Sequence, residues 1–500
     1  MTRRLQSLVP ASTSSRLTRR LFLRALGVVY LIAFLSLEGQ VEGLFGADGL
    51  QPAAGFLERA GGALGGTDFL RLPTLFWLGA GDDVMSAACW LGVAAALALI
   101  SGVLPLASLV VLFALYLSFV SVGAPFLQYQ WDALLLETGF LAIFWAPTTA
   151  RLRSPRAAAP SQAVGWLLRW LVFRLMFFSG WVKLASGDPT WWDLSALQHH
   201  YQTQPLPTWT AWYMNQLPDW FQRLSVAAMF VVELILPFFV FAGRRPRAIA
   251  AGGFVGLQVL IAATGNYGFF NLLAAVLCIS LLDDPQLLAL VPSRWRSRGS
   301  LPQRPRSLGG RVVSAALTAV ILLLSVPAAI TQLTGIRSGP ARLVEPVARL
   351  ARPFHLTNRY GLFAVMTRTR PEVVIEGSRD GVHWLPYRFR WKAGPLDRRP
   401  AFVEPDMPRL DWQMWFDGLA LERALRSGRR PTGLVTPALI RKLREGSPAV
   451  LRLLEDAPFD GPPPPHLRFG LYDYRFTDAA ERNASGRWWN RRLLWPAPAP

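Results

Sequence analysis

PFLQYQWDALLLETGFLAIFWAP, residues 125–147, and GWLLRWLVFRLMFFSGWVKLASGDPTWWDLSALQHHY, residues 165–201, are two apolar runs separated by a basic loop. Each is apolar and long enough to cross a bilayer, which takes about 20 residues of helix. Yet together they carry Gln128, Gln130, Asp132, Glu137, Arg169, Arg174 and Lys183. A charge within a spanning helix costs about 2.5–3.5 kcal/mol on insertion scales, so it is kept where it has a partner or a function. The fold class follows from this pairing of apolar length with internal charge: a polytopic α-helical membrane bundle.

The rest of the chain extends the pattern. The sequence has 500 residues, 52% of them hydrophobic, and its mean hydropathy is positive. Further apolar runs occupy 21–37, 85–101, 104–123, 224–242, 248–265, 268–283 and 312–332. With the opening pair they predict about nine spans. Arg151, Arg153 and Arg156, then Arg244, Arg245 and Arg247, then Arg294, Arg296, Arg298, Arg304, Arg306 and Arg311 fall in alternate loops. Basic loops stay cytoplasmic. The expected layout is a basic cytoplasmic N-terminus over 1–20, a membrane domain over 21–335, a soluble extracytoplasmic domain over 336–490 and a disordered tail over 491–500. Thr18-Arg19-Arg20-Leu21-Phe22-Leu23-Arg24 resembles a twin-arginine export signal, but the many spans that follow favour the flank of a first spanning helix.

The formal charge is +20, and only three of the 52 basic residues are Lys. No basic face is interleaved with a nucleic-acid module, so a nucleic-acid partner is excluded. Cys89 and Cys278 are the only cysteines, which leaves no disulfide framework and no Cys-based zinc site.

The polar 336–490 region reads as β-rich and sandwich-like. Val373-Val374-Ile375 leads into a Ser378-Arg379-Asp380-Gly381 turn, a hairpin signal. Tyr387, Phe389 and Trp391 alternate with basic residues on the return. Trp412–Leu425 and Pro437–Arg444 read as helices. The strand over Leu467–Thr477 changes apolar phase near Leu471, which predicts a bulge.

The chemistry-bearing residues lie mostly in the membrane part. Gln130, Asp132, Glu137, Arg174 and Glu233 are expected to form an intramembrane polar cluster. Gln130 is seven residues from Glu137, hence on nearly the same helix face. Glu137, Arg174 and Glu233 fall at similar depth, so Arg174 is expected between two carboxylates. Two readings are open: a cavity that binds a substrate or moves a proton, and a structural ion cluster. Lys183 is the only Lys before residue 392. A buried Lys can give up its proton where Arg cannot, which makes Lys183 the candidate base. Trp191, Trp192, His199, His200 and Tyr201 lie in an outer-surface loop. Adjacent His residues do not face one way on a helix, so no metal is expected there, nor any cofactor. The aromatics through 208–220 suggest an amphipathic segment on the membrane surface.

QYQWDALLLETGFLAIF (128–144), FFSGWVKLASGDPTWWDLSALQHHYQTQPLP (177–207), NYGFFNLLAAVLCISLLDD (266–284), NRYGLFAVMTRTRPEVVIEGSRDGVHW (358–384), RLDWQMWFDGLA (409–420) and RFGLYDYRFT (468–477) together resemble the lipase maturation factor family. The resemblance implies a non-catalytic folding or assembly factor, resident in the endoplasmic reticulum in animals, whose partners are membrane lipids and exported, lipase-like clients. Trp384, Trp391, Trp412 and Trp415 are then the client-binding candidates, on an exposed aromatic surface. The Arg-rich composition suggests a bacterial member, in the inner membrane. The alternative is an enzyme, an oxidoreductase or carboxylase-like protein acting on a quinol or lipid. Its plan is similar to that of the vitamin K-dependent γ-carboxylase group, with Lys183 as base and Asp132, Glu137 and Arg174 around one cavity.

Overall fold

A computed structural model describes residues 15–66, 68–290, 304–336 and 339–495. Among them, seven helices are long and apolar enough to cross a membrane. They are α1 (Arg16–Phe45), α2 (Asp82–Ser101), α3 (Pro105–Val122), α5 (Gln162–Ala185), α8 (Asp219–Phe239), α9 (Arg244–Thr264) and α11 (Leu308–Thr334). Two of the nine expected spans are shorter. The fourth is α4 (Gln130–Trp145) and the eighth is α10 (Phe270–Leu281). A 16-residue helix rises only about 24 Å, short of the roughly 30 Å of hydrocarbon that a lipid-exposed helix must cover. Both are largely buried among the longer helices, which is how such short apolar helices are kept from water.

The basic loops meet at one end of the bundle. Thr18 N–H donates to Asp284 (2.9 Å), Arg19 to the Ala158 carbonyl (3.1 Å), and Leu152 N–H to the Gly102 carbonyl (2.8 Å). Arg247 pairs with Asp283 (3.0 Å). Arg19 is buried by these contacts, as the flank of a bundle helix would be. Arg3, Arg4, Arg294, Arg296, Arg298 and residues 496–500 lie outside the described residues.

The other end carries two short helices, α6 (Leu197–Thr203) and α7 (Trp209–Asn215), and the C-terminal part. The latter holds β1 (Pro371–Ser378), β2 (Leu385–Pro386), β3 (Arg388–Phe389), α12 (Arg409–Ser427), α13 (Thr436–Glu445), β4 (Leu454–Asp456), β5 (His466–Phe476) and β6 (Trp489–Trp495). One antiparallel sheet has the order β2-β1-β5-β6, with β3 and β4 pairing separately. The expected hairpin forms at Glu376↔Pro386. The expected bulge also forms: β6 changes register on β5 between Leu471 and Tyr472.

Among the described residues a sandwich does not form. The return strand expected through Trp391 ends at Phe389, because the Trp391 and Lys392 N–H groups turn to the Asp411 carboxylate on α12 (2.8 and 2.9 Å). A helix rather than a second sheet therefore packs against β1. Residues 491–495, expected as tail, belong to β6. One core is continuous from Phe34 in α1 through Met407 and Trp412 to Val373 and Leu471 in the sheet.

Candidate functional site

Three buried ionic groups replace the single cluster expected from the sequence. The first joins α4 and α5 to the segment 358–361. Glu137 pairs with Arg174. Its other oxygen accepts from Asn358 N–H (2.9 Å), the Asn358 amide (3.2 Å) and the Tyr360 hydroxyl (2.7 Å). Arg174 also donates to the Asn358 carbonyl (3.1 Å). Gln130, on the same face of α4 as expected, exchanges two hydrogen bonds with the Gly361 backbone (2.9 and 3.0 Å). Gly361 has φ +150°, and a Cβ there would sit 2.7 Å from Val182, so only glycine lets the segment come this close.

The second group is Asp132 with Arg409, the first residue of α12. Arg409 makes a two-pronged pair with Asp132 (2.8 and 3.1 Å) and donates to the Phe126 carbonyl (2.7 Å). The Tyr116 hydroxyl donates to Asp132 (2.6 Å). All three side chains are buried. The planar guanidinium suits this two-pronged geometry better than an ammonium would.

The third group is Lys183 with Glu233, at 2.6 Å. Glu233 was expected beside Arg174. It meets Lys183 instead, because α8 has a π-helical turn at Val231–Ile235 and crosses α5 tightly at Gly180. A Cβ on Gly180 would lie 2.9 Å from that of Glu233. Lys183 also donates to the Ser179 carbonyl (3.0 Å) and lies 5.4 Å from the Trp191 ring centre. Asp132, Glu137 and Arg174 do not line the cavity beside Lys183. The arrangement drawn for a Lys183-based enzyme, with all four around one cavity, is not formed.

The loop 186–218 is clamped under the C-terminal part. Arg370, fully buried, donates to the Gln202 (2.9 Å), Gln204 and Pro205 (2.7 Å) carbonyls. The Trp415 indole donates to the Thr203 carbonyl (2.8 Å). Trp191 is buried and donates to the Phe363 carbonyl (3.1 Å), whereas Trp192 is exposed. His199 and His200 diverge as expected of neighbours on a helix. His200 faces the Tyr267 hydroxyl (3.2 Å), and burial together with the nearby Lys183 ammonium pushes its pKa down to about 4. It is therefore neutral near pH 7. Tyr201 is buried beside the C-terminal sheet, against Trp212 and Trp489. Trp212 is likewise covered by Trp488, not laid on a membrane surface.

The aromatic client surface is also revised. Trp412 and Trp415 are buried; Trp412 packs on Trp131 and Tyr267. Trp384 is partly covered by the Arg468 guanidinium, 4.0 Å from its ring. Trp391 is also partly buried. The sequence reading missed Asn358, Tyr360, Arg370 and Arg409, together with Glu372, whose carboxylate lies between Arg370 (2.9 Å) and Lys392 (2.8 Å). Only the charge of Arg370 and Glu372 within an apolar strand pattern signalled them.

Glu404 is a further contact between the C-terminal part and the bundle. It accepts from Tyr267 N–H (2.5 Å) and Asn271 (2.8 Å). Burial raises its pKa from 4.5 to about 7, against the opposing effect of these hydrogen bonds. Between those two values the folded chain holds a proton that the unfolded chain has released, so stability falls as pH rises from 4.5 to 7 and levels above 7. The expected loss is about 3 kcal/mol at most. Glu404→Gln keeps an acceptor oxygen and removes this slope. Thermal midpoints in detergent at pH 5.0 and 7.5 check it. A difference between the two pH values that is the same in wild type and variant would exclude Glu404 as the titrating group.

Residues 17–289 match the lipase maturation factor transmembrane domain, and residues 356–496 the lipase maturation factor C-terminal domain. The chain is similar to lipase maturation factor 2 of Gallus gallus, at 36% identity over 95% of this chain and 80% of that protein. Lipase maturation factor 2 of Homo sapiens is 36% identical over 96% and 82%, and lipase maturation factor 1 of Bos taurus 33% over 96% and 88%. No solved structure matches. These relatives are animal proteins, and the bacterial origin and inner-membrane location expected from composition find no support in them. With the transmembrane and C-terminal domains both matched and the identity sustained along nearly the whole chain, the protein belongs to the lipase maturation factor family and is a multi-pass membrane protein.

Proposed function

We propose that this chain is a membrane-embedded maturation factor that assists the folding or assembly of exported lipases. The observation that carries this reading is the match of both bundle and C-terminal part to proteins named lipase maturation factor 1 and 2. In this reading the C-terminal part works on the non-cytosolic face. The gathering of Arg-rich loops at the opposite end of the bundle supports that orientation, with α4 and α10 completing nine crossings. The client surface is the tip of the β1–β2 hairpin. Val382 and Leu385 are exposed there, beside Trp384, and exposed apolar groups on a folded domain mark interaction sites.

The test uses cells that lack their own maturation factors and express a secreted lipase. Wild-type chain is expected to raise the specific activity of the secreted lipase severalfold, while an unrelated secreted enzyme is unaffected. Val382→Asp combined with Leu385→Asp is expected to lose most of that rescue at unchanged chain level. Equal lipase activity with and without the chain would overturn the proposed function. Full rescue by the double variant would move the client surface elsewhere.

A further inference from the structure

A cavity of about 590 Å³ lies between α5, α6, α7, α8, α9 and α10, closed on one side by Leu362 and Phe363 of the C-terminal part. Its size is that of a small-molecule site, which spans about 300–1,000 Å³. Met176, Met229, Leu257, Ile261, Phe270 and Phe363 make its walls mostly apolar. Tyr213 and Leu260 also line it, yet they are 48% and 67% exposed, so they mark its mouth. Beside that mouth α9 exposes Val259 on the surface that a bilayer would cover.

The polar part of the lining carries no net charge. Lys183 is closed onto Glu233 (2.6 Å) and the Ser179 carbonyl. His200 is neutral near pH 7 and faces the Tyr267 hydroxyl, which also reaches Gln204 (2.9 Å). One group is left over. Gln258 is only 5% exposed, lines the cavity, and its side-chain oxygen has no hydrogen-bond partner among the described residues. A buried acceptor without a donor is costly, and each such group calls for an explanation.

We infer that this cavity binds one uncharged, hydroxyl-bearing, single-chain lipid, entering from the bilayer past Tyr213 and Leu260, with its hydroxyl donating to Gln258 and its chain along the Met and Phe walls. An anionic head group is disfavoured: the one ammonium is already neutralised, and a second carboxylate or phosphate would face Glu233 without a free cation. Because Leu362 and Phe363 form one wall, an occupied cavity also seats the segment that follows Asn358 and Tyr360. The inference stands apart from the identity of any client.

The experiment uses the full chain in lipid nanodiscs and a radiolabelled, photoactivatable monoacylglycerol. Adducts are expected to concentrate on peptides from 175–183, 225–233 and 257–264. Unlabelled monoolein should suppress them at a concentration at least about tenfold below that needed for oleate. Gln258→Leu removes the acceptor at similar size and should lower labelling about fivefold. Ser225→Phe places a ring in the cavity and should abolish it. Both variants are compared with wild type by elution volume and by thermal midpoint without added lipid. If Ser225→Phe fails to fold, Gln258→Leu decides. Labelling spread evenly over the lipid-facing helices, or unchanged in a folded variant, would overturn the site. Oleate competing as well as monoolein would overturn the uncharged head group.

Discussion

Glu137→Ala is expected to be the most damaging single change in the membrane part. The carboxylate is fully buried and holds four donors: Arg174, the Asn358 N–H and amide, and the Tyr360 hydroxyl. Removing it leaves Arg174 as a buried cation without its anion, a loss of about 3–5 kcal/mol in comparable pairs. It also strands the Tyr360 hydroxyl and the Asn358 N–H, at about 1–3 kcal/mol for each donor that stays buried, while the Asn358 amide keeps the Ala133 and His355 carbonyls. The segment 358–361 should then lift from between α4 and α5. Expected results are a much reduced steady-state level and rapid proteolysis within residues 355–365. Glu137→Gln keeps one acceptor oxygen and should fall between wild type and Glu137→Ala. Normal level and normal protease resistance in Glu137→Ala would refute this account of how the two parts are joined.

Arg409→Ala is expected to follow closely. Arg409 reaches from the first turn of α12 into the bundle and is the sole cation paired with Asp132 among the described residues. Its loss leaves a buried carboxylate answered only by Tyr116 and the Tyr129 N–H. The cost is again about 3–5 kcal/mol, which in a chain of 500 residues should lower the thermal midpoint in detergent by about 3–5 °C. Asp132→Leu together with Arg409→Met replaces the pair by apolar groups of similar size, and such replacements are often neutral. That double variant should recover most of the midpoint. If it is no better than either single change, the attraction itself stabilises the junction more than its desolvation opposes it.

Several features needed nothing beyond the residues themselves. Apolar length and basic loops identified a polytopic membrane protein, and the phase change at Leu471 located the bulge in β5. The helices over 409–427 and 436–445 lie where their sequences place them. Gln130 and Glu137 are seven residues apart, and both bind the segment 358–361. The same helical geometry also argues against the single cavity. Arg174 and Lys183 are nine residues apart on α5, about 180° around its axis, so they must face different neighbours. Asp132 and Glu137, five apart, differ by about 140°.

The neighbours themselves were decided by tertiary structure. Asp132 meets Arg409 across 277 residues, and Glu137 meets Tyr360 across 223. Lys183 takes Glu233 because Gly180 admits α8 at that height. Trp412 and Trp415 leave the surface because α12 is laid on the bundle and on the loop beneath it. Helical periodicity sets the direction in which a side chain points, because it follows from the local backbone. Which distant group lies in that direction depends on how whole elements pack, and that is fixed by their combined burial and ion pairing, not by any one stretch of sequence.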